Sequence, residues 1–288
     1  ISELRQSLAL PKLDETVEIS ARVSDPDGVE VVNLWFRGDA EEEFQSVLMD
    51  NPVRPGEVSA ESSLYRATLG GVDVEGRTIE FWVEATDGDG DTRREPPAGT
   101  LLFQLDDDRD DIDFPTYRVV MRSSDARLLR TRFALSNHLL PASLVVDHDR
   151  VMHGAGVRYR GSPFMRALSG TRKGLRVRLR DEDSLLGAVR LTLDEQTVDQ
   201  TFQVDRFLRY AMQKEGGIPY GERHYVRVVL AGIPMSGVYE HVLHVDPRYL
   251  ERAFGDDRSS GSLYKLDAHY EVDDRGERRD PRFLSWAF

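Results

Sequence analysis

The chain has 288 residues, long enough for two domains, and carries 51 acidic against 38 basic side chains for a net charge of −13. That balance argues against nucleic acid as a partner, since binding phosphates depends on a basic surface that displaces counterions. No cysteine is present, which excludes disulfides, thiolate metal sites and cysteine nucleophiles, and no segment is apolar and charge-free over the ~18 residues that a membrane span needs. The first residue is Ile1 rather than Met, which leaves room for a signal or an upstream region. In chain order, residues 16–23 alternate Val17, Ile19, Ala21 and Val23 with Glu18, Ser20 and Arg22, the period of a half-buried strand. Asp25, Pro26, Asp27 and Gly28 make a turn, and residues 29–37 follow as a strand rich in β-branched and aromatic side chains. Residues 44–49, 64–69, 79–85 and 100–105 repeat the pattern, which predicts an all-β, immunoglobulin-like sandwich over residues 1–105.

Residues 106–114 are mostly aspartate. A block of like charge does not pack, so it reads as an acidic linker. Beyond Pro115 the character changes. Residues 117–121, 144–146, 156–160 and 175–179 predict strands, and the last two alternate apolar residues with arginine. Residues 124–136 read as helical or irregular. Phe202, Val204, Phe207, Leu208, Ala211 and Met212 predict a helix that Gly216, Gly217 and Pro219 stop. Residues 225–230 and 237–245 form a hairpin across Ala231, Gly232, Ile233 and Pro234. Asp246 as N-cap and Pro247 at the first position then open a helix that ends at Gly255. Strands, a helix, a hairpin and a helix are in the order of a protein-kinase small lobe, so the expected class is mixed: the sandwich, then an α+β kinase-like lobe over residues 115–288.

Several segments resemble the spore-coat kinase family of the CotH type. They are Val157, Arg158, Tyr159, Arg160, Gly161 and Ser162; Arg172, Lys173, Gly174, Leu175 and Arg176; Gly216 to Pro219 with Val226 and Val228; Ser236, Gly237, Val238 and Tyr239; Val245, Asp246, Tyr249, Leu250, Phe254 and Gly255; and Gly261, Leu263, Tyr264 and Lys265. The likeness covers roughly residues 115 to 274 and lies in order and spacing more than in any one piece. It implies ATP with Mg²⁺ or Ca²⁺, and transfer of the γ-phosphate to serine or threonine of a secreted or surface protein, outside the cell. In that scheme Lys173 holds nucleotide phosphates as a point charge, Arg160 contacts phosphate, and the loop carrying Ser162 covers it with backbone amides. Lys173 also reads as a solvated strand lysine, and Arg160 as a structural ion pair.

Two features depart from the family. Leu243 stands where the family has a glutamate, and the downstream aspartate motifs that supply base and metal ligand are missing before Phe288, so no catalytic residue is assigned. The expectation is a fragment of a longer kinase, with small lobe and the start of the large one, or else a non-catalytic surface protein used for adhesion or assembly. Elsewhere, Asp25 and Asp27 in one loop and Asp87, Asp89 and Asp91 in another are oxygen ligands of the kind calcium takes, or plain turn chemistry. His138, His148 and His153 lack ligand spacing, and His241 and His244 fall on opposite faces of one strand. The arginine-rich strand over 172–180 reads as a site for an acidic or phosphorylated partner, or as a solvated sheet face.

Overall fold

The computed structural model describes residues 1–39, 41–51, 63–70, 78–105, 113–161, 173–195, 204–243, 247–255, 271–272 and 278–280. The chain divides into two compact units. One is Ile1–Asp113 with Val120–Ser123 and Ala142–Gly154; the other is Phe114–Val119 with Ser124–Pro141 and Ala155–Phe288. The proposed linker falls largely on residues outside the described set.

Two antiparallel sheets build the first unit. One runs β1 (Ser2–Gln6), β2 (Val17–Val23), β5 (Ser63–Leu69); the other runs β4 (Gln45–Leu48), β3 (Val29–Gly38), β6 (Thr78–Asp87), β7 (Thr92–Glu95), with β8 (Leu101–Gln104) also on β6. Alternation sends one side chain in two inward. Ile19 and Ala21 from β2, Leu34 from β3, Leu69 from β5, Phe81 and Val83 from β6 and Phe103 from β8 therefore meet in one core shared by both sheets. On the other face of β3 and β6, Trp35 stacks on Trp82, directly opposite it, at 5.7 Å between ring centroids. Beside them Glu80, also directly opposite its partner Arg37, is buried. It accepts hydrogen bonds from Arg37 Nε at 3.2 Å and Nη2 at 3.0 Å and from the Thr100 hydroxyl at 2.8 Å. Arg37 in turn lies over the Phe44 ring. A buried carboxylate satisfied this fully is tolerable.

A third sheet takes β9 (Thr116–Val120), β10 (Leu140–Val146), β11 (Arg150–Tyr159), β12 (Leu175–Arg178), β13 (Arg190–Asp194), β14 (Arg223–Leu230), β15 (Ile233–Pro234) and β16 (Tyr239–Leu243). Its order is β15-β14-β16-β13-β12-β11-β10-β9, and β9 also pairs with β14, in parallel. That pairing joins the two ends and makes a closed barrel of seven strands. Val157, Leu175, Val177, Leu191, Leu193, Val226 and Tyr239 share the inward face and are fully buried, as the filled interior of a small barrel requires. The described helices are short: α1 (Ser123–Thr131), α2 (Val204–Glu215) and α3 (Pro247–Phe254). Gly217, at φ +65°, ends α2 in the left-handed conformation, and Ile218 N–H closes back on Gln213 O at 3.0 Å, a C-terminal cap that favours glycine. A two-stranded antiparallel sheet, β17 (Glu271–Val272) with β18 (Arg278–Asp280), completes the described elements.

The expected α+β kinase-like lobe is therefore corrected. Strands dominate this unit and the sheet closes on itself, whereas a kinase-like lobe sets helices against an open sheet. The alternation of apolar residues with arginine is the inside and outside of a barrel wall.

Replacing Glu80 tests the polar anchor of the first unit. Glu80→Gln leaves the Arg37 guanidinium without its charged partner and is expected to lower the unfolding free energy by about 3 kcal/mol, the order for breaking a buried ion pair. Urea denaturation followed by circular dichroism measures it. An unchanged midpoint would show that the Arg37–Glu80 pair contributes nothing.

Candidate functional site

Strand register arranges the charged residues of the barrel's outer face in rows. One row runs Arg158 (β11), Arg176 (β12), Thr192 (β13), Val242 (β16), Arg223 (β14). On one side of it lie Gly156, Arg178 and Arg190; on the other, Asp194, Glu240 and Tyr225. The two ends of this face differ. Toward Tyr225, the Phe207 ring of α2 stacks on the Tyr225 ring at 4.8 Å, and Glu240 beside it is wholly buried. Toward Arg178 and Arg190 both side chains are exposed, and Arg178 Nη2 donates to the exposed Asp181 carboxylate at 3.2 Å.

At the covered end the charges are paired. Arg223 Nη1 donates to Glu240 Oε1 at 2.8 Å, and Arg160 forms an ion pair with buried Asp194, which sits directly opposite Glu240. The second oxygen of Glu240, Oε2, is buried and meets no hydrogen-bond donor among the described residues. Gly174 is required here: a Cβ on it would lie 2.6 Å from Arg160 Cγ and would run into the Glu195 carboxylate.

Lys173, two residues before β12, lies with its ammonium 5.6 Å from the centroid of the Tyr159 ring, in cation–π reach. Its backbone carbonyl accepts a hydrogen bond from the Tyr239 hydroxyl at 3.3 Å. The fold thus brings the lysine strand and Tyr239 together, but the Arg160 guanidinium is turned onto Asp194. Ser162 lies outside the described residues. Gly217, Ile218, Pro219, Leu243 and Tyr249, drawn from separate resembling segments, line one hollow of about 260 Å³.

Asp25, Asp27, Asp87 and Asp91 line a hollow of about 450 Å³ at one end of the first unit; Asp89 is exposed nearby. Two of these carboxylates, Asp25 and Asp87, turn onto their own loops. Asp25 Oδ1 accepts from the Asp27 amide at 3.0 Å, and Asp87 Oδ1 accepts from the amides of Asp89 at 3.0 Å and Asp91 at 2.9 Å. That is turn chemistry. Among the described residues no group of three or more histidine, aspartate or glutamate side chains is placed to hold a metal ion, so the calcium expectation finds no ligand set there.

Sequence reasoning missed two features. Asp194 and Glu240 are brought side by side by the pairing of β13 with β16; the alternation Arg190, Leu191, Thr192, Leu193 was the available signal for β13. Inside the barrel, the Tyr117 hydroxyl pairs with His241 Nδ1 at 3.0 Å, and no sequence signal links residues so far apart. Burial, and secondarily the charge of neighbouring His224, pushes the His241 pKa down to about 4. Burial also raises the Tyr159 pKa, opposed by the charges of Arg130 and Arg132.

His241 makes acid sensitivity predictable. Its ordinary pKa of 6.5 applies in the unfolded chain, against about 4 in the barrel, so the unfolded state binds the proton more readily. The native state keeps the full benefit of the neutral ring above about pH 6.5, loses it progressively as pH falls toward 4, and recovers none below. The expected loss from this group is about 3 kcal/mol. Stability measured from pH 7 to pH 4 should fall less steeply in His241→Gln; equal slopes would refute the assignment.

No helix among the described residues is long and apolar enough to cross a membrane. Comparison with known proteins gives little company for this chain. No family model matches it, and no curated protein does. Among solved structures it is similar to a cycloalternan-forming enzyme from Listeria monocytogenes in complex with a pentasaccharide substrate, at 10% identity and a TM-score of 0.27. That alignment covers 68% of this chain and 16% of the enzyme.

Proposed function

We propose that this chain is a non-catalytic binding and assembly protein of the cell surface, which engages an acidic polypeptide through the arginine-bearing outer face of its barrel. The observation that carries this reading is the register of four arginines on three adjacent strands. Arg158 stands directly opposite Arg176, and Arg178 directly opposite Arg190. Like charges facing each other across strands destabilise a sheet, and this occurs in a chain with an overall excess of acid. Within the chain Arg178 already meets the Asp181 carboxylate at 3.2 Å, and a partner's carboxylates, taken by the planar forks of guanidinium groups, would offset more of that cost.

The groups that the sequence resemblance assigns to nucleotide phosphates support the same reading. Arg160 serves the barrel wall through Asp194, and the Lys173 ammonium rests on Tyr159. An extracellular location follows the sequence expectation and is part of this proposal.

Two measurements test it together. The protein is expected to be retained on immobilised polyglutamate at low ionic strength and released by salt, and Arg178→Glu with Arg190→Glu should abolish retention. Incubated with ATP and Mg²⁺ or Ca²⁺, it should transfer no γ-phosphate to itself or to a serine-rich protein. Metal-dependent transfer would overturn the proposal and restore the kinase reading, and unchanged retention of the double variant would remove the arginine face from it.

A further inference from the structure

We infer that the acidic polypeptide is a second copy of this chain, whose first unit docks on the arginine-bearing barrel face in a head-to-tail contact. The inference rests on the reading of that face as a binding surface and adds the identity of its partner.

Charge is divided unequally between the two units. The first holds 30 acidic and 12 basic residues, a net charge of −18, and the second 21 acidic and 26 basic, a net charge of +5. The separation is sharper along the chain, where residues 150–180 contain nine basic side chains and no acidic one. A chain that is acidic as a whole thus gathers arginines on β11, β12 and the start of β13, with Arg178 and Arg190 exposed. Asp181 and Glu182, which follow directly, pair with Arg178 and Arg180, so a partner's carboxylates compete with these exposed ones. Its first unit offers exposed carboxylates, among them Glu30 near the start of β3 and Glu42, Glu43 and Asp89 on loops.

Two copies that approach with these surfaces facing bring opposite charges together. The overall repulsion between acidic molecules is spread over their whole surfaces, and salt screens it beyond ~10 Å at an ionic strength of 0.1 M. Contact between the arginines and the acidic unit is short-ranged and survives that screening longer. Complementarity of this kind fixes orientation and accelerates encounter.

The two surfaces lie on different units, so a single contact leaves each copy with one surface unused unless the pair closes reciprocally. Open contacts propagate into rings or chains, and a reciprocal pair stops at a dimer. In either case a copy with a ruined arginine face loses one of the two contacts that it can make.

Sedimentation velocity of the full chain over a range of concentrations and salt tests this. At about 20 mM salt the mean mass should rise with concentration above that of the monomer, and at about 500 mM it should return to the monomer. Arg178→Glu with Arg190→Glu should weaken association by at least about tenfold and, mixed into wild type, shorten the assemblies. Arg178→Ala with Arg190→Ala should act in the same direction with a smaller effect. Arg5→Glu with Arg66→Glu changes net charge equally within the first unit, at exposed positions, and should not weaken association.

A wild-type chain that stays monomeric at low salt yet is held by polyglutamate overturns this inference and leaves the binding surface standing. A monomer that is not held sinks both. Association that persists in the Arg178→Glu, Arg190→Glu variant, or that Arg5→Glu with Arg66→Glu weakens as strongly, also overturns it.

Discussion

The parallel pairing of β9 with β14 is the constraint on which the second unit depends. Arg227, Val228, Val229 and Leu230 lie opposite Thr116, Tyr117, Arg118 and Val119. The pairing continues past each end of the run, where Arg227 N–H donates to Pro115 O at 2.8 Å and Ala231 N–H to Val119 O at 2.9 Å. Without it, β9 and β14 would each leave an edge of unpaired amides and carbonyls. With it, the sheet has an inside and an outside, and every alternate residue is committed to one or the other. The loop closed is more than a hundred residues long, but loop entropy grows only with the logarithm of length. A ladder of backbone hydrogen bonds and a filled interior can therefore offset it.

That commitment explains the two chemistries of one strand set. Leu175 and Val177 point inward, where a polar group without a partner is costly; Arg176 and Arg178 take the other side. His241 shows the cost of breaking the pattern. It is an inward position, and its ring is held neutral by burial, with Nδ1 against the Tyr117 hydroxyl and Nε2 meeting no partner among the described residues. Glu240, the adjacent residue, faces outward and is nevertheless buried; Arg223 makes that burial tolerable.

Much of the local structure was legible in the residues. Alternation marks β2, β3, β6, β11 and β12, and Asp246 with Pro247 announces α3, because each signal depends on neighbours a few positions apart. Closure was not legible. It depends on Thr116–Val120 finding Arg223–Leu230, and a short apolar strand carries no mark of its partner. The order of elements after Pro115 suits an open sheet with helices as well as it suits a barrel. The reading of Arg160 was limited in the same way. Whether a cation faces phosphate or a carboxylate of its own sheet depends on Asp194, and β13 was not recognised as a strand. The aspartates of the Asp87 loop were ambiguous for a different reason, since aspartate beside glycine serves both calcium and turns, and only the direction of the carboxylates separates the two.

Closure also decides how this unit can recognise anything. Addition of a partner strand needs an exposed sheet edge, and the ring of seven strands offers none, since β9 is paired on both sides. Recognition by the barrel wall must then go through outward side chains. On β11, β12 and β13 these are predominantly arginine, long enough to reach past the backbone and always charged. Guanidinium forks at fixed strand spacing favour a partner that presents carboxylates in series rather than a single small anion. On the proposed reading, the closure that removes a sticky edge leaves a surface whose affinity would be set by charge, and therefore by salt.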